Sequence, residues 1–195
     1  GPERRRYWRP LPNLFSRLAD HGPQIGKGDG VWLDAATHEA EALVSSFLDM
    51  KVALKPHSPF ETEEEARIAP RYRRADLHVL TTASMRTLAE LVPDPGEIDP
   101  RRFRPNIVIE TEPEFDGFAE HRFVGGRLAV GDALIAISEP CARCSFTALA
   151  QGELAFELAV LQKIAQHGEG GFGVLCAVER PGAIRPGDEV KLIEA

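Results

Sequence analysis

Pro100-Arg101-Arg102-Phe103-Arg104-Pro105-Asn106 runs directly into the apolar stretch Ile107-Val108-Ile109, and further along the chain stands Cys141-Ala142-Arg143-Cys144. The first segment crowds guanidiniums and an amide side chain ahead of a strand. Guanidiniums in numbers suit a phosphate or another oxyanion, which their planar forks bind through paired hydrogen bonds. The second segment sets an arginine directly before a cysteine, and a guanidinium beside a thiol favours the thiolate. A thiolate is both a nucleophile and a soft metal ligand. Together the two segments predict a site for a phosphorylated, sulfur-associated cofactor or substrate.

Working outward, the pattern predicts many short strands and a few helices. Thr37 to Asp49 is the clearest helix, with Thr37 as cap, Glu39 and Glu41 in the first turn, and Ala40, Leu43, Val44, Phe47 and Leu48 on one apolar stripe. A short helix is expected at Leu14 to Ala19, one at Ser84 to Glu90 with Ser84 as its N-cap, and one from Phe156 to Gln166 with Leu158, Leu161, Ile164 and Ala165 inward. Strands are expected at Val52 to Leu54, Leu77 to Thr81, Ala119 to Phe123, Arg127 to Val130, Leu134 to Ser138, Gly173 to Val178 and Glu189 to Ile193. Ile107 to Glu110 is expected as a strand buried on both faces, and Pro186-Gly187-Asp188 as a turn. Residues 56–74 read as a polar loop whose acidic run, Glu61 to Glu65, is a solvated face. The sum is an α+β domain on a strongly curved sheet or barrel.

The ordered set of motifs resembles the MOSC domain, the C-terminal domain of molybdenum cofactor sulfurases. The resemblance is carried by Asp99-Pro100-Arg101-Arg102-Phe103-Arg104-Pro105-Asn106-Ile107-Val108-Ile109, then Gly131-Asp132, Ala142-Arg143-Cys144, Phe172-Gly173 and Pro181-Gly182-Ala183-Ile184-Arg185-Pro186-Gly187-Asp188. Upstream, Ala75-Asp76-Leu77-His78-Val79-Leu80-Thr81-Thr82-Ala83-Ser84 is similar to the segment before the family's Arg-rich motif. The resemblance implies a MOSC-type β-barrel of short, mostly antiparallel strands with a few flanking helices. It assigns 31–195 to the MOSC domain and 1–30 to an N-terminal extension without a full N-terminal barrel. In the amidoxime-reducing members the cysteine matching Cys144 ligates molybdenum; in others the domain is thought to hold cofactor or carry sulfur. The chain departs from the amidoxime reducers at Phe172-Gly173-Val174-Leu175, where they have Phe-Gly-Gln-Tyr.

Composition narrows the field. Hydrophobic content is 43% and charged content 27% over 195 residues, ordinary for one globular domain with a full core. The net charge of −7 argues against nonspecific nucleic-acid binding, so the arginines are local to a site in an acidic protein. No apolar run has the length of a membrane span, and the start, Gly1-Pro2-Glu3-Arg4-Arg5-Arg6, lacks a signal-peptide core. Three cysteines do not make a disulfide framework, so a reducing cytoplasm is the expected compartment.

The residue-level expectations follow. Cys144 is the candidate nucleophile and, by resemblance, molybdenum ligand; the alternative is a buried, inert thiol. Cys141 forms Cys-x-x-Cys with it, either an incidental neighbour or a resolving thiol, and Cys176 reads as core. Arg104 and Arg143 are the first candidates for an anionic cofactor, with Arg102 and Asn106 on the Arg104 face of an alternating segment; surface salt bridging is the alternative for the arginines. Thr82 and Ser84 can place an anion at a helix N-terminus or simply cap it. His121 and His167 read as surface, His78 as satisfied core.

Three functions compete. One is a stand-alone MOSC protein that binds molybdenum cofactor, carries sulfur on Cys144, or both, independent of pyridoxal phosphate. The second is a sulfurtransferase that delivers persulfide sulfur without molybdenum, with a cysteine desulfurase or another sulfur donor as partner. The third is a noncatalytic module docking onto a desulfurase or reductase. The residues leave open whether the protein is an enzyme, a sulfurtransferase or a molybdenum-cofactor-dependent oxidoreductase.

Overall fold

The structure, a computed structural model, describes residues 5–55 and 75–193. The polar loop and acidic run expected at 56–74 lie outside the described residues. The chain divides into two compact units, Gly1–Arg71 with Ala150–Ala155, and Tyr72–Leu149 with Phe156–Ala195.

The first unit contains a one-turn helix α1 (Arg5–Trp8), strands β1 (Phe15–Ala19), β2 (Gly22–Gly26) and β3 (Leu33–Asp34), and helix α2 (His38–Phe47). The helix expected at Leu14 to Ala19 is strand β1 instead. It pairs antiparallel with β2 from Phe15↔Gly26 to Ala19↔Gly22, across the two-residue turn Asp20-His21. Gly22 follows that turn at φ 123°, a conformation L side chains avoid. The strand hides from sequence reading because it buries no face: Phe15 and Leu18 are both exposed. Helix α2 matches expectation. The Thr37 hydroxyl accepts from the Ala40 N–H at 3.2 Å, and Ala40, Val44 and Leu48 are buried. No strand forms at Val52 to Leu54. There the Ser45 hydroxyl pairs with both the N–H and the carbonyl of Val52, and the Glu41 carboxylate accepts from the Leu54 N–H, so side chains satisfy the backbone groups a ladder would have used.

The second unit is built on a six-stranded sheet in the order β5-β4-β8-β7-β6-β9. Its strands are β4 (Leu77–Thr81), β5 (Ile107–Ile109), β6 (Arg127–Val130), β7 (Ala133–Ala142), β8 (Gly171–Arg180) and β9 (Val190–Ile193), flanked by helices α3 (Thr82–Leu91) and α4 (Leu158–His167). All neighbours are antiparallel except β4 and β5. Three register shifts between β7 and β8 bend the sheet. The edge strands β5 and β9 line one cavity together, which a flat sheet of six strands could not bring about. The fold is therefore α+β with a curled, half-barrel sheet, as expected.

Each face of the sheet has its own core. The inner cluster holds Val79, Leu128, Val130, Ile135, Ile137, Val174 and Cys176. The outer cluster holds Leu80, Leu88, Val92, Phe103, Val160, Ile164 and Phe172, under the two helices. Strand β8 serves both faces because Gly173, at φ 78°, breaks the alternation between Phe172 and Val174. A Cβ on Gly173 would lie 2.1 Å from His78 Nε2.

Four expectations are corrected here. Strand β5 is an edge rather than a doubly buried strand, with Val108 43% exposed. Ala119–Phe123 is a 3-10 helix, which turns Glu120 inward. Helix α3 is capped by Thr81, whose hydroxyl accepts from the Ser84 N–H, so Ser84 lies one turn inside. Helix α4 buries Val160 and Ile164, whereas Leu158 and Ala165 are exposed. Among the described residues no helix is long and apolar enough to cross a membrane.

Candidate functional site

The Arg-rich and Cys-bearing segments meet, though not through their strands. The expectation that β5 packs beside the strand leading to Cys144 fails, because β4 and β8 stand between β5 and β7. The junction is made by arginine side chains. Pro100–Arg102 is a 3-10 turn capped by the Asp99 carboxylate, which accepts from the Arg101 N–H at 2.8 Å. Strand alternation therefore does not govern this segment, and each arginine has a separate fate.

Arg101 folds back on Asp99 through Nε and an Nη atom at 2.9 and 3.0 Å, and this fork holds the Asp99 carboxyl below its usual range. Arg102 is buried. It pairs with the Glu97 carboxylate and donates to the carbonyls of Glu97, Thr147 and Leu149. It ties the Arg-rich turn to the loop after Cys144 and offers no donor to a ligand surface. Arg104 is exposed, has φ 53°, and carries its guanidinium 5.2 Å from the Phe146 ring centre. Arg143 donates to the Phe103 carbonyl at 2.7 Å and to Cys141 Sγ at 2.9 Å; its Nε is buried without a partner.

The three cysteines occupy three environments. Cys176 is fully buried in the inner cluster, and burial pushes its thiol up to about 12. Cys141 is buried at the end of β7, in contact with Arg143. Cys144 is exposed, with extended backbone, at the start of the 3-10 helix Ser145–Ala148. In an extended segment, residues separated by an odd number point to opposite faces, which is how Cys141 is buried while Cys144 faces solvent. The Cys-x-x-Cys spacing is thus not a closed redox pair in this conformation. Among the described residues no three His, Cys, Asp or Glu side chains gather into a metal-binding group.

The remaining candidates have their hydrogen-bond partners on other segments. Asn106 Oδ1 accepts from the His78 N–H at 2.8 Å, and its own N–H donates to the His78 carbonyl, extending the β4–β5 pairing. Thr82 exchanges hydrogen bonds with Thr111. The Ser84 hydroxyl donates to Glu120 at 2.5 Å. The anion expected at this helix N-terminus is the protein's own: Glu120, 2% exposed, accepts from the Thr81 and Ser84 hydroxyls and from the Gly173 N–H. Sequence reading missed Glu120. Its only signal was a carboxylate beside Phe118 and Ala119 in an otherwise solvated acidic stretch.

Behind the junction lies His78, in the core as expected. Burial, and then the Arg143 guanidinium, push its imidazole down to about 4. The unfolded chain therefore binds a proton between pH 6.5 and 4 that the folded chain refuses. The stability this contributes is complete above pH 6.5 and is lost as pH falls through about 4, amounting to about 3 kcal/mol. Urea melts at pH 7 and pH 4.5 are expected to separate the parent from His78→Gln, which should lose less stability on acidification; equal losses would refute the assignment. His121, read as surface, is half-buried, and its Nε2 has no partner.

A half-barrel sheet with an Arg-rich turn held against an Arg-Cys loop defines a class, and the family comparison agrees. Residues 55–191 match the MOSC domain, and the chain belongs to that family. Among solved structures, the YuaD protein from Bacillus subtilis is similar at 20% identity and TM-score 0.49, over 64% of this chain and 66% of that one. YiiM from Geobacillus stearothermophilus is similar at 23% identity and TM-score 0.45, over 62% of this chain and 55% of that one. The chain thus spans less than two thirds of the length of either relative. No curated protein matches it.

Proposed function

We propose that this MOSC protein uses the Cys144 thiolate to hold molybdenum cofactor, with Arg104 and Arg143 beside it for the cofactor's anionic groups. One observation carries the reading: of the three cysteines only Cys144 is exposed, and it sits on a loop fastened to the Arg-rich turn by Arg102 and Arg143. The residues present fit the group in part. A thiolate is a suitable soft ligand, and the Arg104 guanidinium is on the surface over Phe146. The buried Arg143 Nε lacks an acceptor. Arg102, Thr82 and Ser84 are engaged inside the protein and contribute to the fold instead. When bound, molybdenum cofactor supplies redox chemistry at its metal. The chain's part is to bind and orient it: Cys144 through sulfur, Arg104 through its fork, and Phe146 as an apolar wall.

The internal engagement of those three residues favours a second reading, sulfur carriage without molybdenum. The Cys144 thiolate attacks the outer sulfur of a donor persulfide, forming Cys144–S–SH and releasing the donor's thiolate. A cysteine desulfurase is a donor of the required chemistry, and a reductase is the partner the first reading needs.

The deciding experiment is molybdenum analysis and visible absorption of protein made in cells that synthesise the cofactor, alongside persulfide trapping by mass spectrometry. Stoichiometric molybdenum supports the first reading. A trapped sulfur on Cys144 without molybdenum supports the second, and neither signal would refute both.

A further inference from the structure

A cavity lies on the opposite face of the sheet from Phe103. It encloses about 650 Å³ and opens between edge strands β5 and β9, with Val79, Leu128, Ile137 and Val174 of the inner cluster as its walls. None of the cysteines and none of the arginines of the first site lines it. Its volume is that of a small-molecule site.

The charge of this cavity has one sign. Glu110, Glu112, Asp188 and Glu189 line it together with the buried Glu120, and no Lys, Arg or His is among the lining residues. Asp188 and Glu189 are partly engaged, by the Arg185 N–H and by Lys191. Glu120 is the telling group. Its carboxylate accepts from two hydroxyls at Oε2 and from a single backbone N–H at Oε1, so Oε1 retains acceptor capacity. Among the described residues it has no cationic side chain as partner. Buried carboxylates ordinarily have one, because removing the charge from water is costly.

We propose that this cavity binds a small organic cation: an alkyl- or arylalkyl-ammonium whose head donates to Glu120 Oε1 and whose apolar body lies against Ile137 and Val174. The cation supplies the missing counter-charge, and the apolar walls take the surface that water solvates poorly. Glu110 and Glu112 at the mouth raise the local concentration of cations and speed their entry. An anionic ligand is excluded by the same field, so the site is distinct in chemistry from the one around Cys144.

The probe is 2-phenylethylammonium, compared with 2-phenylethanol, its neutral isostere. Binding is read by calorimetry and by methyl resonances of Val79, Ile137 and Val174 in the full chain. The ammonium is expected to saturate and to shift those resonances, with the alcohol about tenfold or more weaker. Glu120→Gln should weaken the ammonium to the level of the alcohol. Should Glu120→Gln fail to fold, the surface double variant Glu110→Gln/Glu112→Gln decides, with weaker ammonium binding and a shallower salt dependence expected. Cys144→Ser should bind the ammonium like the parent, which separates this site from the thiol's role. Equal affinity for the two probes, unmoved methyl resonances, or undiminished binding in the folded glutamate variants would overturn the proposal.

Discussion

Cys144→Ser is expected to retain no molybdenum and accept no sulfane sulfur while melting at the parent's temperature. The side chain is exposed and serine is nearly isosteric, so the fold loses nothing it used. The chemistry is lost, because an alcohol is far less acidic than a thiol and is a harder ligand. Cys176→Ser should behave in the opposite way. It buries a hydroxyl in the inner cluster, at a cost of about 1–3 kcal/mol where no partner exists, and leaves loading intact. Cys141→Ser should be mild, since a serine oxygen can accept from Arg143 as the sulfur does. Metal analysis, a persulfide mass shift and a melting curve on each variant make the comparison. A Cys144→Ser protein that loads like the parent would remove the basis of the proposed function.

Arg102→Met should have the largest effect on stability, about 3–5 kcal/mol, the range for removing one partner of a buried ion pair. The guanidinium is wholly enclosed, and its loss strands the Glu97 carboxylate and the carbonyls of Thr147 and Leu149. Arg102→Lys restores the charge but not the planar fork that reaches both sides of the junction, so it should recover only part of the loss. Burial lowers the Arg102 pKa from its ordinary value, yet a guanidinium stays charged near neutrality, so the effect should be flat across that range. Urea unfolding measures it. A loss of less than about 1 kcal/mol in Arg102→Met would mean the junction is held by something else. The same variant should alter the alkylation rate of Cys144, whose loop Arg102 anchors.

Much of the larger unit was legible because its strands carry a buried face. Leu77 to Thr81 and Arg127 to Val130 were read from apolar pattern alone, and helix α2 from its cap and stripe. Where apolar residues stay exposed, or an element is shaped by remote partners, reading failed. Strand β1 exposes its apolar residues and is held by its hairpin pairing with β2, so it carries no buried stripe to read. Ala119–Phe123 has strand composition but is bent into a 3-10 helix so that Glu120 can meet Thr81, Ser84 and Gly173, three residues remote in sequence. For the site, sequence indicated which segments meet but not what each arginine touches. Strand alternation put Arg102 on the face of Arg104 and apart from Arg101. A 3-10 turn and a positive φ send one to Asp99, one into the core and one to the surface.

Strand β8 lies at the middle of the larger sheet, yet it comes from Gly171–Arg180, after both of its neighbours in the chain. During synthesis β4 and β7 must emerge from the ribosome with their facing edges unpaired, and wait. Open strand edges beside apolar side chains invite association with other chains. The nascent chain therefore carries open strand edges until Gly171–Arg180 is delivered, and a transcript truncated before Gly171 is expected to yield an aggregating fragment rather than a smaller working domain.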